Sequence, residues 1–261
     1  CGVDVSSAQV SRAAALLDEE LESWRQRPLG EIPYLVLDAR YEKVRHGGHV
    51  VDVALLLAIG VQADGKRSVL GVSVSLSEAE VHWRTFLTSL LERGLHGVRF
   101  LVSDDHAGLK QARQASLPSV PWQRCQFHLQ QNAQGYVPKQ AMRKEVAQAI
   151  RDVFNAPDKT EAERMLQLLV ERYQKSAPAL AEWAEENIPE GLTVFQLPKA
   201  HRLRMRTTNG LERLNREIKR RTRVASLFPN EASLLRLASA LLVEIDDEWM
   251  TGKIYLNMKT E

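Results

Sequence analysis

A chain of 261 residues can bury a substantial core and form one large domain or a domain with an insertion. Its 44% hydrophobic and 26% charged residues are ordinary for a soluble globular protein, and its longest apolar run, at 50–61, contains Asp52 and is too short to span a bilayer. Two cysteines cannot form a disulfide framework, which indicates a reducing, intracellular compartment, and a net charge of +2 does not by itself indicate a nucleic-acid partner.

The first part of the chain predicts a helix and then a meander of strands. Ser6, with Gln9 three residues later, forms a capping box that begins a helix ending near Arg25. Strands are predicted at 32–37, 50–60 and 67–75, and the short polar turns between them favour antiparallel pairing.

From Ser77 onward, helical and extended patterns alternate. Ser77 and Glu80 predict a second capping box for a helix over 77–93, and a strand at 98–103, a helix at 106–115 and a strand at 120–125 follow. This order indicates an α/β fold with a mixed sheet and helical crossovers. Residues 130–190 carry only helical stretches, at 139–154, 159–175 and 179–187, and helices are also predicted at 209–222 and 231–249.

Two aspartates follow predicted strands. Asp38 comes after the apolar run 34–37, and Asp104 comes after the run 100–103. Carboxylates at strand ends are held rigidly by the sheet while they face a cleft, as a metal site requires. Together with Glu212 they offer hard oxygen ligands that suit Mg²⁺ or Mn²⁺.

Each of these carboxylates has a structural alternative. Asp38 could begin a turn, which is a common use of loop aspartates. Asp105 is expected to cap the helix that begins near Ala107, which leaves Asp104 as the better ligand candidate. Glu212 stands three residues after Asn209 and could be its partner in a helix cap.

Positive charge is concentrated between residues 202 and 223, where nine Lys and Arg side chains face two glutamates, a local net charge of +7. Four arginines at spacings of three, four and three share one helix face, and we expect this face to bind DNA phosphates: Arg213, Arg216, Arg220 and Arg223. The alternative is a solvated charged face with pairs such as Glu212–Arg216 and Glu217–Arg221.

Cys125 and His128 have the spacing of half a zinc site. No second pair of ligands accompanies them in the sequence, and no neighbouring group suggests a cysteine nucleophile. A zinc site is therefore the weaker interpretation.

Three segments, at 34–45, 102–109 and 206–222, together resemble the Mutator-type transposases of bacterial insertion sequences. The stretches 124–128 and 227–231 fit the same family. The most specific part is the run Thr-Thr-Asn-Gly-Leu-Glu-Arg-Leu-Asn at 207–215, and the resemblance covers nearly the whole chain.

The resemblance implies a ribonuclease-H-like fold in which helices flank the mixed sheet and an all-helical insertion precedes the third catalytic acid. It identifies Asp38, Asp104 and Glu212 as catalytic acids and as ligands of two Mg²⁺ or Mn²⁺ ions, and Cys125, His128 and Asn209 as supporting residues. Glu217 is the rival for the third position, but it lies five residues on, roughly 140° around the helix.

The resemblance also predicts the organisation of the chain. It implies a helical segment at 1–30, the first part of the core at 31–130, the helical insertion at 131–200 and the C-terminal core helices at 201–261. Segment 1–30 is expected to be a remnant of an N-terminal DNA-binding region, with a plain packing helix as the alternative.

The implied function is that of a DNA transposase catalytic domain, which hydrolyses phosphodiesters at insertion-sequence ends and transfers the strand to target DNA. We expect DNA and a second copy of the chain as partners, no membrane, and a location in the bacterial cytoplasm at the nucleoid. The alternatives are a ribonuclease-H-like nuclease without strand transfer and an inactive, domesticated DNA-binding protein.

Overall fold

The computed structural model describes residues 6–222 and 227–259, except for the side chains of Glu212 and Arg213. Over these residues five strands form one sheet: β1 (Tyr34–His46), β2 (His49–Val61), β3 (Arg67–Ser75), β4 (Phe100–Ser103) and β5 (Trp122–Arg124). Their order in the sheet is β3-β2-β1-β4-β5. The first three strands pair antiparallel, and β4 and β5 run parallel to β1, which confirms the predicted mixed sheet.

The helices fall into three groups along the chain. α1 (Ser7–Arg25) precedes the sheet, and α2 (Glu80–Glu92) and α3 (Ala107–Ser116) connect its later strands. Between β5 and the C-terminal region lie α4 (Gln126–Ala133), α5 (Arg143–Phe154), α6 (Lys159–Tyr173) and α7 (Pro178–Asn187), with 3₁₀ turns at Gln134–Tyr136, Gln140–Met142, Ile188–Gly191 and Thr193–Gln196. The third group is α8 (Lys199–Met205), α9 (Asn209–Thr222) and α10 (Glu231–Thr251).

Both faces of the sheet are buried, because successive side chains of a strand point to opposite sides. Leu35 and Leu37 of β1 belong to a core cluster with Trp83 of α2 and with residues of α3. Tyr34 and Val36 belong to the larger cluster on the other face, which includes α4–α7 and α8–α10. Among the helices of residues 6–222 and 227–259, none combines the length and the hydrophobicity that a membrane span requires.

Several predicted elements are confirmed. Ser6 caps α1 in a capping box, since its Oγ accepts from the Gln9 amide at 3.3 Å and the Gln9 side chain accepts from the Ser6 amide at 2.8 Å. β3 and α9 have the predicted bounds. β1 continues past the predicted end at residue 37, because its polar half pairs with β2 in a hairpin that turns at Gly47 and Gly48, with φ values of 56° and 84°.

Two predictions about helices are wrong. α2 begins at Glu80 after Ala79, which makes no side-chain cap, and Ser77 Oγ instead accepts from the Ala79 amide at 3.3 Å. The capping box at Ser77 is therefore not formed. α4 was not predicted at all, because its buried face begins with a polar residue: the Gln126 amide group donates to the Gly191 carbonyl oxygen at 2.8 Å.

Asp246 anchors α10 to the edge strand β3. Its carboxylate accepts hydrogen bonds from the Val69 amide at 2.7 Å, from Ser68 Oγ at 3.1 Å and from Arg27 Nη2 at 2.7 Å. Burial lowers the pKa of Arg27, and the Asp246 charge opposes that shift. The Asp246 carboxylate thus offsets the cost of partly burying the charge of Arg27, which follows α1.

Asp246→Ala should lower the free energy of unfolding by about 3 kcal/mol, because it leaves the Arg27 guanidinium without its charged partner and the Val69 amide without an acceptor. Asp247→Ala, at an exposed neighbouring position, is the matched control and should change the free energy by less than about 0.5 kcal/mol. Urea denaturation followed by circular dichroism measures both. Equal losses in the two variants would contradict the anchoring role.

Candidate active site

The register of two parallel strands brings Asp38 and Asp104 level with each other. β1 and β4 pair with Val36 opposite Val102, a constant offset of 66 residues. β4 ends at Ser103 and Asp104 follows it directly, so the same offset carried one residue past β4 brings Asp104 level with Asp38. Asp38 shares the face of Val36, because strand side chains repeat with a period of two. This is the face that the helices of the larger core cluster cover.

Asp38 lies within a strand. It is in the fifth position of β1, pairs with Leu57 of β2 and is only 9% exposed. The alternative that Asp38 begins a turn is therefore wrong. The polar residues that follow Asp38 belong to the exposed part of the hairpin, and because they lack a hydrophobic pattern the sequence did not predict the second half of β1.

Asp38 and Asp104 form a row across the end of the sheet, and Cys125, which follows β5, continues this row. Val102 pairs with Gln123, and the Cys125 amide donates to the Ser103 carbonyl oxygen at 2.8 Å, so Cys125 stands level with Asp104. α4 begins directly after Cys125, and its first turn carries His128. His128 Nδ1 lies 3.7 Å from Asp104 Oδ1.

The buried sulfur of Cys125 connects this end of the sheet to α9. Sγ accepts from the Thr208 amide at 3.4 Å and from Thr208 Oγ1 at 3.5 Å. Asn209 follows as the first residue of α9; it is exposed, and its amide donates to Thr207 Oγ1 at 3.3 Å. The start of α9 is thereby fixed relative to the row of Asp38, Asp104 and Cys125.

The environment of His128 favours its charged form. Its hydrogen bond with Cys125, followed by the charges of Cys125, Asp104 and Asp38, raises the pKa of His128 to about 9, against burial of the ring, which lowers it. Nδ1 is buried and has no hydrogen-bond partner of good geometry among the residues described here. The charged form of His128 is therefore stabilised first by the hydrogen bond with Cys125 and then by the negative charges of the two aspartates.

Asn215 of α9 is the direct partner of Asp38, and sequence reasoning missed it. Its Nδ2 donates to Asp38 Oδ2 at 2.9 Å, and its backbone oxygen accepts a hydrogen bond from Arg40 Nη1. Near the end of the helix, Thr222 Oγ1 donates to Glu42 Oε1 at 3.3 Å. The spacing in the sequence could have identified Asn215, because it follows Glu212 by three residues and so shares its side of the helix.

The third predicted acid lies on the same helix, although the Glu212 side chain is outside the described residues. α9 begins at Asn209, and the Leu211 amide bonds to the Thr208 carbonyl oxygen. The capping alternative for Glu212 depends on that side chain and stays a prediction.

Glu217, the rival for the third position, has other partners. Its carboxylate pairs with Arg220 at 2.6 Å and with Arg221 at 3.2 Å, and their hydrogen bonds lower the pKa of Glu217 to about 2. Arg221 also lies 3.6 Å from Glu244 of α10. Glu217 thus belongs to a surface ion-pair group on another side of α9.

Asp105 does not cap α3 as predicted. His106 occupies the cap position without a side-chain hydrogen bond, and Asp105 pairs with Arg124 at 3.0 Å and with Lys110 at 3.2 Å. Glu190, which follows α7, pairs with the same two cations at 3.0 and 2.9 Å. These four charges tie the helical segment to the core beside Asp104.

The predicted phosphate-binding face is partly described. Arg216 is exposed, whereas exposed Arg220 is held in its pair with Glu217. The Arg213 side chain and the whole of Arg223 lie outside the described residues. Lys219, which is not among the four predicted arginines, is also exposed on this helix.

The donor set suits a hard divalent cation when Glu212 is included. Within the described residues, no three His, Cys, Asp or Glu side chains gather as metal ligands, so a third carboxylate would have to come from Glu212. Two of the eight buried polar side-chain atoms without a partner in those residues belong to side chains that contact the aspartates: His128 Nδ1 and Asn215 Oδ1.

Comparison with known proteins decides the family. The family model described as "Transposase, Mutator family" matches residues 1–252. The chain belongs to the Mutator family of transposases.

Curated members of the Mutator family match this chain over nearly all of its residues. It is 66% identical over 255 residues to the transposase for insertion sequence element IS406 of Burkholderia multivorans, covering 98% of this chain and 66% of that protein. It is 42% identical to the transposase for ISRM5 of Rhizobium meliloti, covering 99% and 65%, and 38% identical to the transposase for IS1081 of Mycobacterium tuberculosis, covering 98% and 62%. The chain therefore spans about two thirds of the length of these relatives.

The raised pKa of His128 predicts a pH-dependent stability of this Mutator-family chain in metal-free buffer. A folded pKa of about 9 against an ordinary 6.5 means that the charged ring stabilises the fold fully below pH 6.5 and that this stabilisation is lost as the pH rises to about 9. The difference in unfolding free energy between wild type and His128→Gln should fall by up to about 3 kcal/mol over this range. Urea titrations at several pH values measure it, and a constant difference would contradict the charged state.

Proposed function

We propose that this chain is the catalytic domain of a DNA transposase with a ribonuclease-H-like core. The observation that carries the proposal is the register of β1 and β4, which sets Asp38 and Asp104 in one row on the face that α9 covers. Membership of the Mutator family and the names of the insertion-sequence relatives support it. In this view the chain cuts DNA at the ends of an insertion sequence and joins those ends to target DNA.

Asp38, Asp104 and Glu212 would hold two Mg²⁺ or Mn²⁺ ions. Bound there, the ions would stabilise the charge on the attacking and leaving oxygens of an in-line displacement at phosphorus. Carboxylates on a sheet and on a helix anchored to it are preorganised for this, because neither element has to move when the substrate arrives. His128 and Asn215 would hold the two aspartates in place.

Both chemical steps are displacements at phosphorus. In hydrolysis, a bond forms between a water oxygen and phosphorus, and the bond to the 3′ oxygen breaks, so that the element ends in a 3′-hydroxyl. In strand transfer, that hydroxyl oxygen attacks a phosphorus of target DNA, and the target 3′ oxygen leaves. Neither step needs a covalent enzyme intermediate, and buried Cys125 is fully engaged in packing and in contacts with Thr208.

The basic face of α9 would bind the DNA backbone beside these acids. Arg216 is an exposed member of this face, and Arg220 would exchange Glu217 for a phosphate. Because two element ends have to be joined, we propose that a homodimer is the working unit.

Asp38→Asn, Asp104→Asn and Glu212→Gln should each reduce Mg²⁺-dependent cleavage of element-end DNA by more than about 100-fold, since even residues that only orient metal ligands can cost that factor. Glu217→Gln is the matched control on the same helix and should retain cleavage. A gel assay with labelled duplex measures all four. Full cleavage by the three acid variants would contradict the assignment.

The same assay separates the alternatives. Joining of pre-cleaved ends to target DNA is expected of a transposase, and cutting without joining would indicate a nuclease. DNA binding that survives substitution of all three acids, without metal-dependent turnover in the wild type, would indicate a DNA-binding protein without catalysis.

Arg216→Ala should weaken duplex binding at every sequence and reduce the slope of log K against log salt by about 0.9, because one phosphate contact is lost. Arg164→Ala is the control: this exposed arginine of α6 pairs with Glu161 and lies outside the proposed DNA face. Fluorescence anisotropy at several salt concentrations measures both slopes. If the two variants change the slope equally, the face has been assigned wrongly.

A further inference from the structure

Asn215 stands closest to the first acid of the proposed metal site. Its Nδ2 lies 2.9 Å from Asp38 Oδ2. An ionised carboxylate only accepts hydrogen bonds, so the amide nitrogen must face it, and this assigns the orientation of the Asn215 side chain by chemistry. Asp38 itself is 9% exposed, so water cannot easily replace this donor.

The backbone of Asn215 is hydrogen-bonded to β1, the strand that carries Asp38. The Asn215 backbone oxygen accepts a hydrogen bond from Arg40 Nη1, and Arg40 is paired with Glu42 at 2.5 Å. Arg40 and Glu42 follow Asp38 on β1 at a period of two, so all three face α9. The position of the amide therefore follows from the docking of the helix on the strand.

We infer that Asn215 is a positioning residue for Asp38 in metal binding, an inference that rests on the proposed function. The last torsion of an aspartate is soft, so the sheet fixes the Cα and Cβ atoms but leaves the plane of the carboxylate free to turn. The hydrogen bond from Asn215 fixes that plane. Asp38 is then presented to a cation in one orientation, and no ordering of the ligand is required when the cation binds.

The oxygen of the side-chain amide indicates a role beyond packing. Asn215 Oδ1 is buried, and no described residue donates a hydrogen bond to it. A residue selected only to dock α9 would be expected to satisfy both of its polar atoms or to be apolar. The amide is instead oriented to suit Asp38.

Two variants separate these roles. Asn215→Leu keeps the volume and removes the donor. Asn215→Asp keeps the shape but places an acceptor against Asp38, so two carboxylates would repel each other until a cation bridges them. Thr222→Val is the control, because it removes the hydrogen bond to Glu42 across the same helix–strand interface and leaves Asp38 untouched.

The test is Mn²⁺ binding to the chain by isothermal titration calorimetry, with the melting temperature measured in EDTA. Asn215→Leu should weaken Mn²⁺ binding by about 10- to 100-fold. Asn215→Asp should bind Mn²⁺ more tightly than Asn215→Leu, because the cation relieves the repulsion between the two carboxylates. Thr222→Val should stay within about twofold of the wild type, whatever its melting temperature. Asn215→Asp should also gain more in melting temperature from saturating Mn²⁺ than Asn215→Leu, which gives a second readout even if both variants are less stable.

Each outcome has one meaning. Wild-type affinity in Asn215→Leu overturns the inference and leaves the metal site standing. An equal loss of affinity in Thr222→Val and Asn215→Leu overturns it too, because the effect would then come from helix docking. Absence of Mn²⁺ binding by the unmodified chain overturns the metal site itself, and the role of Asn215 falls with it.

Discussion

The like charges of two carboxylates repel each other, and Asp38 within β1 and Asp104 directly after the parallel strand β4 are such a pair. Asp38 is buried, and Asp104 keeps 39% of its side chain exposed at the mouth of the site. Nearby like charges disfavour ionisation unless cations or hydrogen-bond donors compensate them. His128 brings positive charge to Asp104, and Asn215 brings a donor to Asp38. A divalent cation would complete the compensation.

The two helices that carry these partners, α4 and α9, both begin next to Cys125. α4 begins at Cys125, the next member of the row after Asp104, and α9 begins one residue after Thr208, which contacts the Cys125 sulfur through two groups. Cys125 therefore connects the edge of the sheet to the helix that carries Glu212. This explains how a buried thiol can matter to the site.

Much of the fold could be predicted from the sequence, because the β-strands of the meander and the longer helices carry clear hydrophobic periods. β3, α9 and the capped start of α1 are examples. Predictions failed where a polar residue has a tertiary partner. Asp105 looked like a helix cap but pairs with Arg124 and Lys110, and the polar second half of β1 looked like a loop although it pairs with β2.

The candidate site was predictable in its residue types and not in its geometry. The offset of 66 residues that makes Asp38 and Asp104 neighbours is a property of strand pairing and cannot be derived from either strand alone. Asn215 escaped notice because its role depends on which side of α9 meets β1. We propose that three carboxylates converge on bound metal, and a crystal structure of the chain soaked with Mn²⁺ would show whether they do. We expect anomalous density for Mn²⁺ between Asp38 and Asp104 with Glu212 as a further ligand. Ions bound elsewhere, or a Glu212 carboxylate directed away from the two aspartates, would contradict it.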